Sequence, residues 1–296
     1  MGWKVCYRGS SIGDRMKIAV IGANGFIGRH VLAELTKRSI EFVAVDLCPP
    51  KEGSFSEIPW VQLDIHRPSE KVFDYIGRPD ACIHLAWGGL PNYKSLHHFE
   101  KELPGQYRFL SALVREGLSS LIVSGTCFEY GMKTGALRED AETHASNPYG
   151  FAKNALCRQL QFLRENTPFA FTWARLFYVY GEGQSSNSLW PQLKQAVQRG
   201  DVVFPMSGGE QVRDYLPIET VAERLVSLAV AKAETGIVNI CSGKPIKVRE
   251  LVEGWIAENG WKIKLDLGRY PYPDYEPMEF WGDSAKYKAW EMKSCL

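Results

Sequence analysis

Strand-length apolar runs recur through the first half of the chain, separated by stretches whose apolar residues return at helical spacing. The runs are Ile18-Ala-Val-Ile21, Glu41-Phe-Val-Ala-Val45, Val61-Gln-Leu-Asp-Ile65, Ala81-Cys-Ile-His-Leu-Ala86 and Leu121-Ile-Val-Ser124; helical patterns lie between them, over Arg29 to Lys37 and Phe99 to Glu116. Such alternation predicts an α/β fold, a parallel sheet with helices on both faces. Ligands of such sheets lie beyond the carboxyl ends of the strands, where Gly22, Asp46, Asp64, Ala86 and Thr126 fall. In the second half, Ser188-Leu-Trp190-Pro opens a helix that ends at Gly200, and Val202 to Phe204 is a short strand. Pro217-Ile-Glu-Thr220 is expected to cap a helix running to Lys232, with Thr220 and Glu223 at capping-box spacing. Leu251 to Asn259 predicts another helix, and the prolines of Arg269-Tyr-Pro-Tyr-Pro-Asp-Tyr275-Glu-Pro predict a loop.

Two local patterns give this frame its chemistry. After the first strand comes Gly22-Ala-Asn-Gly25-Phe-Ile-Gly28, where three glycines let the backbone turn tightly and approach a pyrophosphate at the next helix's N-terminus. The spacing is Gly-x-x-Gly-x-x-Gly rather than Gly-x-Gly-x-x-Gly, and a glycine-rich turn alone is weak evidence. The second strand, however, ends at Asp46, eighteen residues after Gly28. A carboxylate there suits ribose hydroxyls and repels a 2′-phosphate, which favours NAD(H), while loop cations such as Lys51 leave NADP(H) open. The plain alternative is that Asp46 caps the following turn.

The second pattern is Asn147-Pro-Tyr149-Gly-Phe-Ala-Lys153. Pro148 opens a helix because its missing N–H costs nothing there, and Tyr149 and Lys153 then stack on one face. An ammonium beside a phenol stabilises the phenolate and draws the pKa down from about 10, which makes Tyr149 an acid/base candidate. Alone, the pair reads as a surface aromatic with a solvated lysine. Ser124 and Thr126 at the end of an apolar strand, and the glycine turn upstream, weigh against that.

Composition narrows the classes. The chain has 296 residues and a formal net charge of +1, so it carries no electrostatic footprint for nucleic acid. No apolar run approaches the ~20 residues of a membrane span. Seven cysteines, an odd number with no Cys-x-x-Cys pair and no signal peptide, read as reduced thiols of a cytoplasmic protein. No metal site is expected: His97-His98 is an isolated, solvent-facing pair, and Cys127 reads as an ordinary buried thiol. Residues 1–15 lack any period, and Met16 directly precedes the first strand, so 1–15 is expected to be an extension outside the fold.

Gly22-x-x-Gly25-x-x-Gly28, Asp64-Ile65, His84-Leu-Ala86, Ser124-x-Thr126, Tyr130-Gly131 and Tyr149-x-x-x-Lys153 stand in the order seen in extended short-chain dehydrogenases/reductases. The sequence resembles that family from Met16 to Trp290, with Arg175-Leu-Phe-Tyr-Val-Tyr180-Gly181, Val212-Arg213-Asp214-Tyr215 and Asn239-Ile-Cys-Ser-Gly243 resembling its later motifs. The resemblance implies a Rossmann-type doubly wound parallel sheet over 16–175. It also implies a smaller C-terminal α/β portion, 176–296, that binds a nucleoside-diphosphate sugar and returns in part to the sheet. Tyr149 would be the acid/base, Lys153 its tuner and a ligand of the nicotinamide ribose, and Thr126 the residue that orients the reacting oxygen. Implied cofactor contacts are Gly22, Asn24, Gly25, Phe26, Ile27, Gly28, Asp46, Asp64, Ile65, Leu85, Ala86, Trp87, Ser124 and Phe177, besides Tyr149 and Lys153. Implied substrate contacts are Thr126, Tyr178, Leu189, Trp190 and Arg213, the last on the pyrophosphate. Pairing of Arg213 with Asp214 or Glu210, and core packing of Leu189 and Trp190, are the structural alternatives. Relatives often pair through two helices, one carrying the Tyr-x-x-x-Lys residues, so a homodimer is expected, with Leu156, Leu160 and Leu163 as its apolar stripe or simply as core.

Departures from the family narrow the reaction. Its 4,6-dehydratases carry Asp-Glu after the threonine, where this chain has Cys127 and Phe128. Its epimerase-reductases carry a cysteine at the position of Phe128. Tyr178 replaces a phosphate-contacting asparagine, and Glu102 replaces another asparagine. What remains is hydride transfer without dehydration: reduction of the C4 ketone of a dTDP- or CDP-linked 4-keto-6-deoxyhexose, a step of deoxysugar biosynthesis. The alternative is a 4-epimerase; the reading from another class is a non-catalytic dinucleotide sensor.

Overall fold

The computed structural model describes residues 16–50, 55 and 57–294; the expectations for residues 1–15 and for Lys51 lie outside them. The first half runs β1 (Lys17–Ile21), α1 (Phe26–Lys37), β2 (Glu41–Asp46), β3 (Trp60–Gln62), α2 (Val72–Tyr75) and β4 (Ala81–His84). It continues with α3 (Leu103–Arg115), β5 (Ser120–Thr126), β6 (Gly135–Leu137), α4 (Pro148–Asn166) and β7 (Ala170–Leu176). The second half adds β8 (Tyr178–Tyr180), α5 (Leu189–Arg199), β9 (Val203–Pro205), β10 (Val212–Arg213), β11 (Tyr215–Pro217) and α6 (Ile218–Val230). It closes with β12 (Gly236–Ile240), β13 (Ile246–Lys247), α7 (Val248–Glu258), β14 (Lys264–Asp266), β15 (Phe280–Gly282) and α8 (Ala285–Ser294).

Seven strands form one sheet in the order β12-β7-β5-β4-β1-β2-β3, every neighbouring pair parallel. Burial on both faces is why these strands are continuous apolar runs rather than alternating ones. On one face, α1 and α6 pack Val31, Leu32, Leu35, Leu225 and Val226 against Ile18 and Val20. On the other, α3 and α4 pack Phe109, Leu113, Leu156 and Leu160 against Ala19, Ile21 and Trp173. Leu156, Leu160 and Leu163 are all in this second core, so the candidate dimer stripe is interior. From β1 the chain winds outward through β2 and β3 and then returns to β4 on the other side of β1, and that reversal opens the ligand crevice of a doubly wound sheet. Within the second half, α6 and β12 rejoin this sheet layer, whereas α5, α7 and β9 enclose a separate small core around Leu193, Phe204, Val252 and Trp255.

The expected box at Thr220 and Glu223 does not form. β11 runs straight into α6, whose first residue is Ile218, so Thr220 lies inside the helix and no side chain caps it. A capping box forms elsewhere: Thr126 and Glu129 close one around the short 3₁₀ turn Cys127–Tyr130 that follows β5.

Candidate active site

The crevice is shaped by the first glycine turn. Gly22 has φ +82°, and a Cβ there would stand 2.7 Å from the Ala86 nitrogen at the end of β4. A Cβ on Gly28 would collide with the Gly22 carbonyl, so the missing side chain lets α1 sit directly on the turn. No side chain caps α1 and its first turn is free of acidic residues, which leaves backbone N–H groups for an anion. That cradle fits a dinucleotide pyrophosphate. It opens into a cleft of ≈ 530 Å³ lined by Gly22, Asn24, Gly25, Asp46, Asp64, Ile65, Leu85, Ala86 and Trp87. Asp46 accepts the N–H of Asn24 at 2.9 Å and of Cys48 at 3.0 Å. It therefore does cap its turn, yet each oxygen keeps capacity for a further donor such as a ribose hydroxyl. Phe26 and Ile27 pack their side chains on the core behind the turn. Phe177 does not reach the cleft: its ring lies among Tyr130, Phe280 and Cys241 in a small buried cluster.

Thr126, Tyr149 and Lys153 meet at the ends of β5 and α4. Asn147 caps α4, its Oδ1 accepting the Gly150 N–H at 2.9 Å, and a Cβ on Gly150 would stand 2.5 Å from the Phe128 carbonyl. The helix that carries Tyr149 and Lys153 thus begins directly on the turn that follows Thr126. Lys153 is buried, donates to the Ser124 carbonyl at 2.8 Å and stands 4.1 Å from the centre of the Trp87 ring. Burial pulls its pKa down to about 7, against Glu129 and Glu102, which raise it. Tyr149 lies among the rings of His98 (5.3 Å), Tyr93 (5.6 Å), Trp87 (5.9 Å) and Phe128 (6.3 Å). Burial pushes its pKa up, reinforced by Tyr93, Glu129 and Cys127 and opposed by the nearby Thr126 hydroxyl. The expectation that Lys153 draws Tyr149 down is therefore corrected: the ammonium is engaged by Ser124 and Trp87, and burial of the phenol dominates. Tyr149 is poised as a proton donor.

A second cleft of ≈ 790 Å³ is lined by Tyr93, Lys94, Tyr178, Leu189, Tyr215 and Tyr275. Trp190 turns away from it into the core with Tyr180, Trp255 and Trp261. Arg213 is only 1% exposed; it pairs with Glu276 at 3.0 Å and donates to the carbonyls of Val212 and Met278. Glu276 also accepts from the Tyr178 hydroxyl. The pyrophosphate role expected of Arg213 does not fit this engagement, and its partner is neither Asp214 nor Glu210.

Several residues at the site escaped sequence reasoning. His98 is fully buried rather than solvent-facing: Trp87 Nε1 donates to its Nδ1 at 3.1 Å, and its Nε2 donates to the Asn92 carbonyl at 2.8 Å. Glu102, 2% exposed, accepts from His66 and His97, both at 3.1 Å, and from Gln106 at 2.9 Å. Burial pushes the Glu102 pKa up, but the Gln106 and Gly88 donors and the two histidines outweigh it and hold it below the usual carboxylate range. Tyr93 and Tyr275 come from loops far apart in sequence, and nothing local marks them. Glu129 did have a signal, the Thr126-x-x-Glu129 spacing of a capping box. Cys127 is buried with its thiol pKa pushed up by burial, as an ordinary interior cysteine. Among the described residues no group of three or more His, Cys, Asp or Glu is arranged to hold a metal ion, and no helix is long and apolar enough to cross a membrane.

The model of the NAD dependent epimerase/dehydratase family matches residues 18–241. The chain belongs to that family. It is 32% identical over 270 residues, 90% of this chain and 99% of the relative, to dTDP-6-deoxy-L-talose 4-dehydrogenase (NAD(+)) from Aggregatibacter actinomycetemcomitans. A UDP-glucose 4-epimerase from Neisseria meningitidis serogroup B is 26% identical, with 85% of each chain covered. Among solved structures, MoeE5 in complex with UDP-glucuronic acid and NAD superposes with a TM-score of 0.77 at 25% identity, covering 92% of this chain and 91% of that one. The Rossmann-like fold and the membership in the extended short-chain family expected from the motifs both hold.

Proposed function

We propose that this protein reduces the C4 ketone of a nucleoside-diphosphate 4-keto-6-deoxyhexose, dTDP- or CDP-linked, using NAD(H) in preference to NADP(H). The observation that carries the reading is the convergence of Thr126, Tyr149 and Lys153 in a turn whose one carboxylate is otherwise engaged. Glu129 is fully buried and bonded to the Thr126 N–H, Trp173 and Arg175. Acid catalysis at one oxygen is provided for, while the turn offers no unengaged base to remove a second proton. A reduced nicotinamide, when bound, would supply the hydride for C4. Tyr149 gives its proton to O4 as the carbonyl becomes a hydroxyl, and its raised pKa keeps that proton in place until then. Thr126 donates a hydrogen bond to the same oxygen, and Lys153 contributes positive charge beside it.

In this reading the glycine turn and the start of α1 hold the pyrophosphate of the dinucleotide, and Asp46 holds its adenosine ribose. Leu85 to Trp87 flank its nicotinamide half. Tyr178 and Leu189 border the sugar nucleotide, with Lys94 the cation of that cleft for its phosphates. The chain acts as a cytoplasmic homodimer. The bond change in the name of the Aggregatibacter relative, 4-dehydrogenation of dTDP-6-deoxy-L-talose, is the reverse of the one proposed, and it supports the reading. The Neisseria epimerase supports a second reading, 4-epimerisation, which would use the same three side chains.

The test is oxidation of NADH and of NADPH with dTDP-4-keto-6-deoxyglucose generated in situ by a 4,6-dehydratase. Rapid oxidation is expected, faster with NADH, and Tyr149→Phe is expected to lower turnover by about 10²–10⁴-fold while leaving cofactor binding intact. Unchanged turnover in that variant would sink the mechanism. Silence on dTDP, CDP and GDP keto sugars, with interconversion of UDP-hexoses without added cofactor, would establish the epimerase. Cofactor binding with no turnover of any kind would leave a dinucleotide sensor.

A further inference from the structure

Beneath the three reacting side chains lies a charged pair that the reaction as described leaves without a task. Glu129 is fully buried, and Arg175, on the neighbouring strand β7, is 2% exposed. Arg175 Nε donates to Glu129 Oε2 at 2.6 Å, and Trp173 Nε1 donates to Oε1 at 2.9 Å. The remaining bond runs to the active site: the Thr126 N–H donates to Oε1 at 2.8 Å. The backbone makes room for this carboxylate, because a Cβ on Gly125 would stand 2.7 Å from Oε1 and would collide with the Trp173 indole. A buried ion pair stabilises a fold poorly compared with packed apolar groups, so stability alone gives no reason for this one.

Its geometry gives one. With its own N–H held by Glu129, Thr126 turns its Oγ1 back to accept the Phe128 N–H at 3.3 Å. One lone pair of Oγ1 is thereby occupied, which leaves the hydroxyl proton free to turn toward the reacting oxygen. The same turn seats α4, since Gly150 rests on the Phe128 carbonyl. We propose that Glu129, braced by Arg175 and Trp173, is a positioning residue that fixes Thr126 for the reaction.

The electrostatics agree. Burial disfavours the Lys153 ammonium, and Glu129 is the largest influence opposing it, ahead of Glu102. The other groups around Lys153 are Tyr149 on its own helix, the Trp87 ring, and His84 of β4, which burial holds neutral with a pKa near 3. Arg175 pairs with Glu129 and stands over the Tyr130 ring, and its positive charge offsets part of the Glu129 influence.

The proposal rests on the ketoreductase reading, since that is the reaction for which Thr126 is held. Glu129→Gln keeps the size and one acceptor while removing the charge. The variant is expected to bind substrate with an unchanged KM, to lose up to about a hundredfold in kcat, and to shift the alkaline limb of kcat to lower pH. In parallel, NMR of protein carrying ¹³C at lysine Cε reads the Lys153 titration without turnover, and it is expected to move down in the same variant. If near-ultraviolet circular dichroism finds Glu129→Gln unfolded, the double variant Glu129→Gln/Arg175→Gln, which leaves no lone buried ion, takes its place. A folded variant with the kcat of the wild type overturns the proposal, wherever Lys153 titrates. Absence of turnover in the wild type would overturn the ketoreductase reading, whereas an active wild type beside a fully active variant overturns this proposal alone.

Discussion

Tyr149 and Lys153 carry opposite consequences of the same burial. The phenol is held protonated, whereas the ammonium is brought to about 7, within reach of neutral pH. Lys153 is charged below that value and neutral above it, so the kcat of ketone reduction is expected to be level on the acid side of 7 and to fall above it. A pH profile at saturating substrate checks this, and a flat profile from 6 to 9 contradicts the assignment. Stability moves the other way. From about 7 up to the ordinary lysine value of 10.5 the unfolded chain binds more protons than the folded one, so Lys153 contributes a rise in stability with pH across that window. Measured against Lys153→Met, the wild-type deficit in Tm is expected to narrow as pH rises. At this scale the sequence was readable wherever the relation was local. Tyr149 and Lys153 are one helical turn apart, and Thr126 ends its strand. His98, Tyr93 and Tyr275 reach the same site only through packing between distant segments, and the partner that holds Arg213 is 63 residues further along, Glu276.

Caps decide how well an element presents its residues, and the chain contains one such pattern that works and one that does not. Thr126-x-x-Glu129 closes a box because β5 ends at Thr126 in extended conformation, with φ −147° and ψ 147°. Thr220-x-x-Glu223 has the same spacing but falls after α6 has begun, so Thr220 has helical backbone and the Glu223 N–H it would cap already has the Glu219 carbonyl as partner. Spacing is visible in a sequence; the residue at which the chain leaves one element for the next is less so. The cap that matters most for function is Asn147, two residues before Tyr149. Asn147→Ala is expected to cost about 1 kcal/mol, which in a domain of this size lowers Tm by roughly 2–4 °C. Because fraying of this turn also loosens Tyr149 over Thr126, kcat is expected to fall further than that change in stability alone implies. Thermal unfolding and steady-state kinetics on the same preparation separate the two effects; a stable variant with full kcat would mean that Pro148 and the packing of Gly150 suffice to seat the helix.

The order of the motifs was enough to read the doubly wound sheet, because each βα unit is local and the handedness and burial of parallel strands leave few ways to connect them. How the segment between β14 and β15 folds back was not legible. It reaches the loop after β4 through a Lys94–Asp274 pair at 3.2 Å and a Tyr93–Tyr275 contact at 5.9 Å, across some 180 residues of chain that carry no shared pattern. Assembly is the remaining question at this scale, and α4 gives it a definite form. Its leucines are committed to the interior, but the opposite side exposes Phe151 at 54% and Phe162 at 57%, with Arg158 between them stacked on Phe162 at 5.5 Å. Phe99, from the segment leading into α3, packs edge-on against Phe151 at 6.0 Å and widens that face. A two-fold axis across α4 would bring these rings from both copies together, each buried phenylalanine contributing about 1.5–3 kcal/mol. The wild-type protein is therefore expected to run as a dimer at micromolar concentration in light scattering coupled to size exclusion, and Phe162→Glu as a monomer with its fold and Tyr149 environment intact. A wild-type monomer under those conditions would remove the dimer, and a dimer unaffected by Phe162→Glu would move its interface off α4.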